Sequence, residues 1–143
     1  MARYLVVAHQ TAASSALVDA LKRITHRDKH AAFTLLVPVR NEPHGLTWTE
    51  GARTDAATRT GTRAQELMQR NGIDVDRVVI GDASPVEAVA DLLRDDGSVY
   101  AEIVVSTLPP GRSRWLHMDV ISRIERRFGV PVTPVVTLEA TTV

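Results

Sequence analysis

"IVVSTLPPGRSRWLHMDV", residues 103–120, passes from a buried strand through a polar, proline-containing loop into a helix. Ile103 to Ser106, with Glu102 before them, form a short run that is apolar without alternation, the pattern of a strand covered on both faces. The loop after it holds Pro109, Pro110, Gly111, Arg112 and Arg114, and from about Trp115 a new period begins. Leu116, Val120, Ile124 and Phe128 then fall on one helical face, Gly129 suits a left-handed cap, and Pro131 prevents continuation. A strand buried on both sides and followed at once by a helix is half of a crossover unit, so the rest of the chain should supply more of them.

It does. Four further apolar runs stand at "YLVVA" (4–8), "FTLLV" (33–37), "VDRVVI" (75–80) and "VPVTPVV" (130–136). Between them lie helical patterns. Leu17, Leu21 and Ile24 follow Ser14 and Ser15, and Ala57, Gly61, Ala64 and Met68 precede the stop signal Asn71-Gly72. In "SPVE" (84–87), Ser84 can cap, Pro85 fits the first turn without losing a bond, and Glu87 can reach back to complete a capping box. Val86, Val89, Ala90 and Leu93 make that helix's expected apolar stripe. Alternating strands and helices imply a doubly wound α/β fold, with a parallel sheet, right-handed crossovers and helices on both faces. A length of 143 residues suits one core, read as a single domain over 1–143.

Composition narrows the function. Hydrophobic residues make up 44% and charged residues 24%, and the formal net charge is zero, so the field that draws basic proteins to nucleic acid or anionic lipid is missing. Neither nucleic acid nor membrane is expected as a partner. The chain has no cysteine, which excludes disulfides, thiolate chemistry and cysteine metal sites. The start, "MARYLVVAHQ", turns polar before an export signal or a spanning helix could be completed, and the expected location is the cytoplasm.

In doubly wound sheets, ligands sit beyond the carboxyl ends of the strands where the winding reverses. The loops after the first and fourth strands are therefore the candidate site, with His9, Gln10 and Thr11 on one side and Ser106, Thr107, Gly111, Arg112, Ser113 and Arg114 on the other. Val37, at the end of the second run, completes the set. The guanidinium groups of Arg112 and Arg114 can bind phosphate or carboxylate through fixed forks of donors. The competing reading is a pair of solvated arginines around a Ser113 that caps the fourth helix. His9 and His117 could meet across the site, but without a nearby carboxylate set they read as hydrogen-bonding side chains rather than metal ligands, and no metal is expected. The irregular stretch 40–54, "RNEPHGLTWTEGART", is long enough to be a lid or a surface excursion around Trp48.

Taken together, "YLVVA", "GDASPVEAV" (81–89), "IVVST", "GRSRW" and "FGVPVTPVV" resemble the universal stress proteins, a branch of the adenine-nucleotide-binding α/β superfamily, over nearly the whole chain. The resemblance implies five strands in order 3-2-1-4-5, an adenine nucleotide such as ATP as possible ligand, and a homodimer through the last strand, Val130 to Val136. Nucleotide-binding members carry Gly, two residues, Gly, nine residues, then Gly with Ser or Thr. Here Ser106 and Pro109 stand at the first two glycines and Met118 with Asp119 at the last pair, with the loop one residue shorter, and His9 replaces the acidic residue after the first strand. Pro109 and Pro110 also remove backbone donors. Glycine-cradled ATP binding should accordingly be weak or absent, and the chain resembles a divergent branch. No P-loop, no Gly-x-Ser-x-Gly elbow and no nucleotidyl-transferase histidine motif is present, and the hydroxyls of Thr11, Ser106, Thr107 and Ser113 have no base placed by sequence. The expected function is non-catalytic binding of a nucleotide or other small anion, as in stress-responsive sensors. The alternatives are a slow phosphohydrolase or transferase at the same place, or a dimeric interaction module whose site has decayed.

Overall fold

The computed structural model describes residues 2–8, 12–39, 50–81, 84–96, 99–107 and 118–136. Nine elements alternate along them: β1 (Arg3–Val7), α1 (Ser15–Arg27), β2 (Ala32–Pro38), α2 (Glu50–Arg70), β3 (Val75–Gly81), α3 (Pro85–Asp96), β4 (Glu102–Thr107), α4 (Met118–Phe128) and β5 (Val132–Val136). The strands pair in parallel in the order β3-β2-β1-β4-β5, as expected. None of the described helices is long and apolar enough to cross a membrane.

The unbroken apolar runs are explained by two core layers. Tyr4 and Val6 of β1, Ala8 just after it, and Phe33, Leu35 and Val37 of β2 face α1 and α2, where Leu17, Leu21, Ile24, Ala57, Ala64 and Met68 close over them. Leu5, Val7 and Leu36 point the other way, toward Val86, Val89 and Leu92 of α3 and Ile121 and Ile124 of α4. Each fully buried side chain of this kind contributes about 1.5–3 kcal/mol, so both faces of the central strands favour the fold.

Helix ends follow local chemistry. Ser14 caps α1, its hydroxyl accepting from the Leu17 N–H at 3.1 Å. Gly72 and Gly129, expected to stop α2 and α4, have φ of 79° and 65°, the left-handed region that glycine enters without a Cβ penalty. The irregular stretch 40–54 is helical over its last five residues, because α2 already begins at Glu50.

The apolar stripe of α3 differs from the expected one. Val86 and Val89 are buried, but Ala88 and Leu92 join them, while Ala90 and Leu93 are half-buried. The cause is Gly81 at the end of β3: a Cβ there would lie 2.8 Å from Ala88 Cβ and 2.9 Å from Leu36 Cδ1, so α3 rests on the sheet at Ala88. The Glu87 carboxylate lies 3.5 Å from Arg127 of α4. On α4, Ile121 and Ile124 are buried and Phe128 half-buried, while Leu116 lies outside the described residues.

One irregularity interrupts the sheet. Phe33 is level with Val75, but Thr34 is level with Arg77, leaving Asp76 as an extra residue in β3. The bulge resets the alternation, so that Val75, Val78 and Ile80 all face α1 and α2 although the first two are an odd number of positions apart.

Candidate functional site

At the carboxyl edge of the sheet, β1 and β4 are neighbours, with Val7 level with Val105. The chain leaves β1 toward α1 on one face and leaves β4 toward α4 on the other, so the winding reverses between them. At such reversals in open α/β sheets the crossover helices diverge to opposite faces, which is why ligands settle beyond the strand ends there.

The described residues around this point are small or apolar. Ala8 is fully buried and its N–H donates to the Leu36 carbonyl at 3.1 Å, extending the β1–β2 pairing by one residue. Ser106 is 1% exposed and level with Val135. Val37 is buried beside Ala8, facing α2, and Thr107 closes β4 opposite Val136. Of the sequence-derived site residues, Val37, Ser106 and Thr107 are thus brought to one edge of the sheet, on β2 and β4. His9, Gln10, Thr11, Gly111, Arg112, Ser113 and Arg114 lie outside the described residues, as does His117. The topology nonetheless fixes where their segments start: residues 9–11 continue from β1, and 108–117 join β4 to α4.

Three positions at this edge were not singled out from sequence. Ala8 and Ala12 are fully buried on either side of residues 9–11, and Gly81 ends β3 under α3. Their only sequence signal is small size at or near a strand end, which is too common to select them. Among the described residues no group of three His, Asp or Glu is placed to hold a metal ion.

No protein-family model matches the sequence, and no curated protein matches it either. Solved structures do match in shape. The universal stress protein from Archaeoglobus fulgidus in complex with dAMP has a TM-score of 0.61 at 13% identity, covering 94% of this chain and 98% of that one. A universal stress protein family member from Burkholderia pseudomallei gives 0.59 at 21%, covering 94% and 95%. A universal stress protein in complex with cAMP gives 0.56 at 15%, covering 98% of each. The chain has the universal stress protein fold. At these identities the likeness concerns the backbone. It extends over 94–98% of this chain and concerns the fold alone.

Proposed function

We propose that this chain is a non-catalytic binder of a small anionic ligand, of the adenine-nucleotide class, held beyond the carboxyl ends of β1 and β4 and used as a sensor in the cytoplasm. The observation that carries the reading is the winding reversal floored by Ala8 and Ser106, in a fold whose relatives include complexes with dAMP and cAMP. His9, Gln10, Thr11 and Val37 would line the side next to β2. Ser106, Thr107, Gly111, Arg112, Ser113 and Arg114 would hold the anion. Pro109 and Pro110 offer no N–H, so a triphosphate would meet fewer backbone donors than a glycine loop provides, and the two guanidinium groups would supply the charge instead. Monophosphates and cyclic nucleotides are therefore expected to bind in preference to ATP. A second copy of the chain is proposed as partner, at the β5 edge.

Thermal unfolding with AMP, cAMP and ATP, run on wild type beside Arg112→Ala/Arg114→Ala, tests the reading. A ligand that binds only the folded state stabilises it by about 2.7 kcal/mol at a hundredfold excess over Kd. A rise in Tm with AMP or cAMP that disappears in the double variant is expected. No shift with any nucleotide, or an equal shift in both proteins, would sink the assignment, and submicromolar ATP affinity by calorimetry would sink the preference.

A further inference from the structure

β5 is an edge strand, and an edge strand offers its outward backbone groups to any other strand. Which of its groups point outward follows from one hydrogen bond. The Ile103 N–H donates to the Pro131 carbonyl at 2.9 Å, while Ile103 itself is level with Val132. In a strand, the N–H and C=O of one residue point to the same side and successive residues alternate. Pro131, Thr133 and Val135 therefore address β4, and Val132, Pro134 and Val136 address the outside.

Two of those three outward positions have no donor to give. Pro134 has no N–H, and it occupies an outward position, where the β4 ladder does not need one. The Val132 N–H is already directed to Glu125 Oε2 at 3.4 Å, from the last turn of α4 and around the bend at Gly129. A strand laid along this edge would find carbonyls at 132 and 134 but no free amide until Val136, so its own carbonyls opposite the first two would lose water without gaining a partner.

We infer that the outer edge of β5 is closed to strand addition, by Pro134 from within the strand and by Glu125 from α4. Any copy of this chain that docks there does so through side chains, among them Pro134 and the half-exposed Val136, and the two sheets do not merge. This does not depend on the ligand reading, and it holds whether the chain is a monomer or a dimer.

Amide hydrogen exchange across residues 130–137, measured on wild type at low and high micromolar concentration with light scattering at each, provides the first test. The Val136 amide is expected to exchange at one rate at both concentrations, even if the mass doubles. Slowing of Val136 or Val132 with concentration would mean that strands pair, and would overturn the inference. Glu125→Ala combined with Pro134→Thr restores both donors. That variant is expected to grow in mass with concentration and to slow exchange at 132–136 by about tenfold as it does so. A variant that is folded by circular dichroism yet assembles no more than wild type would also overturn it. Should the double variant fail to fold, Glu125→Ala alone, an exposed change, is expected to speed exchange of the Val132 amide, and an unchanged rate would remove Glu125 from the device.

Discussion

At the amino ends of the strands, side chains reach across the sheet. Arg3 forks onto Asp76 with contacts of 3.0–3.2 Å, bridging β1 to β3 past β2. The Tyr4 hydroxyl donates to Asp28 at 3.4 Å, Arg27 approaches Glu102 at 3.5 Å, and the Thr133 hydroxyl donates to the other oxygen of Glu102. At the carboxyl ends, the described residues nearest the reversal, Ala8 and Ser106, carry short side chains, and β3 ends on Gly81. The contrast assigns labour. One end is tied by long polar side chains over an aromatic stack, and the other is kept short-chained where the winding reverses and the loops must approach.

If the amino end is the anchor, its core should matter most. Phe33 is fully buried and its ring stacks on Tyr4 at 5.4 Å between centroids. Phe33→Ala should cost about 3–5 kcal/mol in urea unfolding, and a loss below about 1 kcal/mol would remove the amino end from that role. The carboxyl end should resist added bulk instead. Gly81→Ala places a methyl 2.8 Å from Ala88 Cβ, and overpacking of this kind costs about 1–3 kcal/mol in the same assay. A neutral result would show that α3 can lift off the sheet. The smallest effect belongs to the most visible contact. Arg3 and Asp76 are 29% and 42% exposed, so a double-mutant cycle should give a coupling of about 0–1 kcal/mol that fades in salt. A salt-independent coupling well above that would make the polar ties a source of stability rather than of register.

The same division decides what was legible in the sequence. Strands buried on both faces announce themselves as unbroken apolar runs, so β1, β2 and β4 were placed within a residue or so, and the capping residue Ser14 and the glycines after α2 and α4 behave as their chemistry demands. The period of α3 identifies Val86 and Val89 and the half-buried Leu93 but not Ala88 and Leu92, because helical period alone does not say which flank meets the sheet. That was settled by a single glycine, Gly81, in another element. The last apolar run starts at Val130, but the strand proper begins at Val132, since the Pro131 carbonyl makes the first bond to β4 and Val130 packs against the α3 and α4 layer. At the candidate site, Ser106 and Thr107 are legible as the last residues of β4, and Val37 as the last but one of β2, because unbroken apolar runs mark where these strands finish. The chemistry of the loops between them rests on side chains that no periodicity orients.

The bulge at Asp76 has a consequence for the length of the chain. Because strand residues alternate faces, removing one residue from inside a regular strand turns every later side chain to the wrong side. Deleting Val79 should send Ile80 out of the layer it shares with Val75 and Val78 and leave the protein unfolded by circular dichroism. Deleting Asp76 should do the opposite: Phe33 stays level with Val75, Thr34 with Arg77 and Leu35 with Val78, now in one continuous ladder, and only the Arg3 contact is lost. Asp76 is the position in β3 at which this chain can become one residue shorter and still point each remaining strand side chain where it points now.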